Sequence, residues 1–268
     1  LTVQNTFFDD QCVAKLKNEK KSFDIIVSAN VICHIPYINS IFSGVEKVLS
    51  TNGIFVHEDP YLLDVMQKVT FDQIYDEHVF LFSCLSQQNI AQKNGLELFD
   101  VELLETHGGS ARYYFCKPGQ QPISQRLIDQ ISAEVKYGLE ELSVFDNFRN
   151  SINLKKIECL DLISKIKASG KSIVGYGATS KSTTILNYFG LDFRSIDCIY
   201  DTTPTKIGKY TPVTNIPIKD YSSFKTDEAD FVILFAWNHK AEIFAKEKDF
   251  FKACGKKWIT ILPEVGII

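Results

Sequence analysis

The sequence predicts an α/β protein made of two doubly wound units joined by helices, and three observations carry that prediction. Strand-like apolar runs alternate with amphipathic segments from Phe23 to Cys116, apolar residues recur at three- or four-residue steps from Ile123 to Ile166, and strand-helix alternation resumes at Lys171. The divisions that follow are residues 1–120, a helical link over 121–169, and a final unit over 170–268. Length agrees, because 268 residues with 45% hydrophobic content can bury two ordinary cores.

Phe23–Ala29 (FDIIVSA) follows the polar cluster Asn18–Ser22 and reads as a buried parallel strand. Ile38, Ile41, Phe42, Val45, Val48 and Leu49 have the spacing of one helical face, with Thr51-Asn52-Gly53 as the stop signal. Gly53–Val56 is the next strand, ending in His57-Glu58-Asp59-Pro60. Residues 61–85 break the rhythm with a polar and aromatic stretch that reads as an insertion, the kind of segment that often carries chemistry. A helix from Ser86 to Asn94, a strand over Leu96–Leu104, a Gly108-Gly109 turn and a strand over Ser110–Cys116 predict a hairpin closing the sheet. A parallel sheet ending in an antiparallel hairpin is the arrangement of class I S-adenosylmethionine-dependent methyltransferases, a partial Rossmann-like domain by analogy of fold alone.

The periodicity over 122–169 predicts two helices with a break near Asp146–Asn150. Beyond it SIVGYG, IDCIYD, FVILFAW and WITIL are strands, with helices ending near Tyr188 and Ala253, which makes a second Rossmann-like unit.

Composition excludes several classes of function. With 29 basic against 33 acidic residues the net charge is -4, so no basic surface is available for nucleic acid. The seven cysteines form no CxxC pair and no zinc-like Cys/His spacing, and read as reduced, mostly buried thiols. No apolar run reaches the roughly 18 residues a bilayer span needs, and residues 1–20 lack a signal-peptide layout. The expectation is a cytoplasmic protein without a membrane partner. Leu1 in place of Met, opening a strand-like stretch, predicts residues missing upstream.

Two regions offer chemistry. Gly175-Tyr176-Gly177-Ala178-Thr179-Ser180-Lys181 lies between a strand and a helix, where glycines permit close backbone approach and a helix start presents free N–H groups to a phosphate. Ser180 replaces the third glycine of a dinucleotide fingerprint, and Asp201 ends the next strand where a ribose-binding carboxylate would stand. A nucleotide or nucleotide-sugar phosphate, a dinucleotide and a ligand-free turn all remain open here. In the first unit His34, His57-Glu58, Tyr75-Asp76-Glu77-His78 and His107 can do acid-base work. Ligands of open α/β sheets bind at the carboxyl ends of strands, which turns His34, Glu58 and His78 toward one crevice; a hydrogen-bonded structural histidine is the competing reading. Arg112 would pair with a phosphate or with a domain-interface carboxylate.

The stretches NVICHIP, FDQIYDEHVFLFS, GLELFDVELLETHGGSARYYF, VGYGATSKSTTILNYFGL and DTTPTKIGKYTPVTNIPI resemble the sugar C-methyltransferases, enzymes that methylate carbon 3 of nucleotide-linked 4-keto deoxysugars. The resemblance runs across essentially the whole chain, and its motifs are specific in combination. It implies an N-terminal zinc-binding domain, a middle domain holding S-adenosylmethionine and a C-terminal Rossmann-like domain that helps hold the nucleotide-sugar. By motif, His34, Tyr75, Glu77 and His78 match the active-site group, with His78 as the base. Removing a proton α to a ketone wants a base of near-neutral pKa, and imidazole ordinarily titrates near ~6.5. Glu77 would orient His78, while Tyr75 and His34 would donate hydrogen bonds to the enolate oxygen; that step needs no metal.

This chain lacks the zinc module and the Gly-rich first turn of the methyltransferase domain, so the cofactor wall expected here is that around Asn30 and His34. The expectation is that these 268 residues alone bind S-adenosylmethionine weakly or not at all. Two other readings are an NAD-dependent oxidoreductase using Gly175–Ser180 and a non-catalytic nucleotide-sugar-binding fragment.

Overall fold

A computed structural model describes residues 2–268. The chain forms two compact units: the chain up to Val65 with Asp76–Val144, and Met66–Tyr75 with Phe145–Ile268. The division passes through the insertion and through the helical link, rather than running in simple succession along the chain.

The first unit contains α1 (Asp10–Asn18), β1 (Phe23–Ala29), α2 (Ile38–Val48), β2 (Leu49–Pro60), α4 (Cys84–Lys93), β3 (Glu97–Leu104), β4 (Ser110–Cys116) and α5 (Gln125–Tyr137), while α3 (Leu62–Lys68) begins in it. Its sheet has the order β1-β2-β4-β3, with β1 parallel to β2 and β4 antiparallel to both β2 and β3. The expected hairpin is therefore present, with its second strand inside the sheet. On α2 the predicted face is the buried one, and Phe42 meets Phe55 and Phe115 edge-on at 5.6 and 5.3 Å.

Two local expectations are corrected. β1 is not a buried strand: Ile25 and Val27 are 67% and 66% exposed, because among the described residues β2 is the strand that pairs with it, leaving the other edge open. The helix stops at Val48, ahead of Thr51-Asn52-Gly53, but the strand expected from Gly53 already starts at Leu49 and runs through those three residues. Gly53 is needed for contact: a Cβ there would lie 2.9 Å from the Phe23 carbonyl oxygen and 2.8 Å from Leu49 Cδ1.

The second unit comprises most of α6 (Leu142–Ala168), then β5 (Ile173–Tyr176), α7 (Ser180–Phe189), β6 (Ile199–Asp201), β7 (Ile218–Asp220), β8 (Phe231–Leu234), α8 (Lys240–Cys254), β9 (Lys257–Thr260) and β10 (Gly266–Ile267). The sheet order is β10-β9-β8-β5-β6-β7, parallel except for β10. β5 has β6 on one side and β8 on the other, so the turn after β5 stands at the topological switch point. The short β7 and β10 were not foreseen from sequence.

The break expected near Asp146–Asn150 is absent. α6 is continuous there for 27 residues, and the break falls instead at Gly138, whose left-handed φ of 88° ends α5. The polar residues over 146–150 cost a helix little each, and Arg149 pairs with Asp146 one turn away at 3.4 Å. Phe71, in a short 3-10 turn over Phe71–Gln73, joins the second core and stacks on Phe189 at 5.3 Å.

Candidate active site

β1 ends at Ala29, and Asn30 turns the chain through a left-handed φ of 53°, its N–H donating to the Glu58 carbonyl at 2.7 Å. A 3-10 turn over Ile32–His34 follows. The Cys33 carbonyl there accepts the N–H groups of Val79 and Phe80 at 2.9 and 3.2 Å, bringing the YDEH segment against the end of β1. The rings of His34 and His78 consequently lie 5.0 Å apart, both half-buried. His34 Nδ1 lies 2.7 Å from the Glu77 carbonyl oxygen, which can only accept, so Nδ1 carries the proton and Nε2 is the nitrogen left for chemistry.

Glu77 contributes to this pairing through its main chain, while its side chain is exposed. Tyr75, half-buried, counts with the second unit. Beside His34 a concavity of about 390 Å³ is lined by Phe7, Phe8, Pro36, Tyr37 and Ile41 among others, giving an aromatic surface at the carboxyl end of β1. Ligand atoms of Cys33, His34 and His78 all lie within 4.8 Å of one another, a nitrogen-sulfur set of the kind zinc takes. Burial above all, and then Asp59, push the Cys33 thiol well above its ordinary range.

Glu58 and Arg112 are register partners on β2 and β4. Arg112 Nε and Nη2 donate to Glu58 Oε2 at 3.0 and 2.8 Å, and Nη1 donates to Glu102 at 3.2 Å. The carboxylates that Arg112 meets belong to its own sheet and not to a domain interface. Hydrogen bonding to Glu58 raises the guanidinium above its ordinary range.

In the second unit the turn after β5 divides its residues between packing and the lining of a concavity. A Cβ on Gly175 would lie 2.8 Å from both Ile199 Cγ1 and Phe235 Cε2, so this glycine serves packing of the strand. Tyr176 points into the core, its hydroxyl donating to the buried Glu247 at 3.2 Å. Gly177 takes φ 90°. Asp201 braces the turn: Oδ2 accepts the Ala178 N–H and Oδ1 the Thr203 N–H, each at 2.7 Å. Each Asp201 oxygen thus holds one backbone N–H, and the side chain is buried against the turn.

Ala178 and Ser180 line a concavity of about 280 Å³ together with Thr183, Lys206, Lys209 and Tyr210. Lys206 donates to the Ala178 carbonyl at 2.7 Å, while Lys209 is exposed. Neither lysine was singled out from sequence, although both stand in the KIGKY stretch of a recognised motif. Lys181 turns elsewhere: its ammonium lies 5.4 Å from the Trp237 ring centre and feels the charge of Asp72, while burial lowers its pKa.

A methyltransferase domain matches residues 2–101. The C-methyltransferase C-terminal domain matches residues 105–263, and the chain belongs to that family. The C-methyltransferase NovU of Streptomyces niveus is 30% identical over 246 residues, 91% of this chain, and the chain spans 58% of that relative's length. Among solved structures, magnesium protoporphyrin IX methyltransferase of Synechocystis PCC 6803 with bound SAH has a TM-score of 0.29 at 12% identity, covering 36% of this chain and 46% of that one. LepI in complex with SAM has a TM-score of 0.29 at 11% identity, covering 36% and 27%. Among the described residues no helix is long and apolar enough to cross a membrane.

Proposed function

We propose that the complete protein methylates carbon 3 of a nucleotide-linked 4-keto deoxysugar by way of an enolate. The observation that carries this reading is the His34–His78 pair, two half-buried imidazoles 5.0 Å apart with one tautomer set by the Glu77 carbonyl. His78 takes the proton α to the ketone. His34, protonated on Nδ1 toward Glu77, donates from Nε2 to the developing oxyanion when it carries both protons.

Asn30 and His34, with the aromatic concavity beside them, fit the wall of a site for S-adenosylmethionine, which when bound supplies an electrophilic methyl group. The concavity at Ala178 and Ser180, with Lys206 and Lys209 on its rim, suits the phosphates of the nucleotide, because a helix start and two ammonium groups meet there. Glu58 and Arg112, already paired, would hold the sugar only as a unit.

The test follows label from methyl-tritiated S-adenosylmethionine in the full-length protein. Label at carbon 3 is expected, and His78→Ala should lower kcat by about 10²- to 10⁴-fold. In D2O without the methyl donor, the wild type should exchange the carbon 3 proton and His78→Ala should not. An undiminished rate in His78→Ala overturns the assignment of the base.

A further inference from the structure

Side chains two apart on a strand point the same way, so the face of β2 that carries Phe55 into the core also carries His57 and Asp59. Both are 0% exposed, and the His57 ring is surrounded by Phe42, Phe55, Phe82 and Tyr113. His57 Nε2–H donates to Asp59 Oδ2. The same oxygen accepts the Cys33 N–H at 3.1 Å. His57 Nδ1 finds no hydrogen-bond partner among the described residues.

As a source of stability this pair is poor. Withdrawing polar and charged groups from water costs several kcal/mol, and apolar residues of similar volume often serve a core as well or better. A half-satisfied dyad in an aromatic cage therefore needs another explanation, and its hydrogen bonds point to one. Asp59 holds the Cys33 N–H, and the carbonyl of that same residue holds Val79 and Phe80. Those two residues follow His78 directly, and Glu77, just before it, fixes His34. The hydrogen bonds that start on Asp59 thus hold the backbone just after His78, and the same short segment carries the Glu77 carbonyl that fixes His34.

We propose that Asp59, backed by His57, is a positioning residue that sets the spacing of His34 and His78, an inference that rests on the reading of His78 as the base. Both groups are sealed from solvent, so their effect falls on the catalytic step and not on substrate binding.

The experiment compares three variants of the full-length protein: Asp59→Asn, the double variant His57→Phe/Asp59→Leu, and His78→Ala. The double variant loses the poorly satisfied pair but strands the Cys33 N–H, so it should fold and melt near the wild-type temperature, lose about 10- to 100-fold in kcat, and keep KM for both substrates. Asp59→Asn still offers an acceptor to the Cys33 N–H and should retain most of the wild-type kcat. A double variant that fails to fold makes the dyad a stability element and overturns the proposal. Wild-type kcat in the double variant, or an Asp59→Asn as slow as it, does so too. A fully active His78→Ala sinks the base reading whatever Asp59 does; an inactive His78→Ala beside an unimpaired double variant sinks the positioning role alone.

Discussion

The Glu77 carbonyl oxygen accepts the Nδ1–H of His34 at 2.7 Å, so His34 enters the candidate site with Nε2 foremost. A carbonyl cannot exchange donor and acceptor roles, which fixes this tautomer more firmly than a hydroxyl would. Replacing His34 by Gln leaves the concavity but removes the cationic donor. The expected result is a fall of about 10²-fold in kcat with KM little changed, measured by steady-state kinetics on the full-length protein.

Asp72 supplies a pH dependence of stability. Burial is the main cause that lifts its carboxyl from the ordinary range to about 6, against the Lys181 charge and a Trp237 Nε1–H bond at 2.6 Å. A raised folded pKa means that the native state binds the proton more tightly than the unfolded chain. Asp72 therefore favours folding fully below about pH 4, and that contribution is lost as pH rises to about 6. Asp72→Asn keeps an acceptor for Trp237 without the charge. At pH 7.5 it should be more stable than wild type by about 2–3 kcal/mol, a difference that shrinks toward pH 4, as read by urea unfolding across that range.

Glu134 of α5 is a buried junction of the first unit. Its carboxylate accepts the Tyr61 hydroxyl at 2.6 Å and the N–H groups of Cys84 and Leu85, the first residues of α4, at 2.7 and 2.9 Å. Glu134→Ala strands all three donors, and a buried unsatisfied group costs about 1–3 kcal/mol. A loss of roughly 3 kcal/mol or more is expected, with lowered amide-exchange protection at the start of α4.

Gly175→Ala adds a methyl group 2.8 Å from two neighbours, Ile199 and Phe235, on the adjoining strand β6 and just past β8. Overpacking of this kind costs about 1–3 kcal/mol, and the unfolding midpoint of the variant should fall accordingly.

Lys209 is exposed on the rim of the concavity at Ala178. If phosphates bind there, Lys209→Ala should weaken calorimetric binding of a nucleoside diphosphate by a few-fold at low salt. The difference should narrow at 1 M salt, where screening acts within about 3 Å.

What the sequence by itself determined is local in character. The 3.6-residue spacing of Ile38 to Val48 forecast the buried face of α2, and Gly108-Gly109 forecast the turn before β4. The alternation after Lys171 located the turn following β5, and the motifs carried the family. A hydrophobic period or a turn residue acts over a few positions, so neighbouring residues reveal it. The burial of His57 and Asp59 was hidden because a polar residue at alternate strand positions usually marks the wet face; here it shares the face of Phe55.

Tertiary structure decided everything that depends on a distant partner. Asp59 meets Cys33 across 26 residues, Glu58 meets Arg112 across 54, and Trp237 meets Asp72 across 165. Such partners turned Asp201 into a brace and Arg112 into half of an ion pair, and placed Met66–Tyr75 with the second unit. The physical reason is that buried donors, acceptors and charges must be matched wherever the fold brings them together, and sequence spacing does not record that meeting.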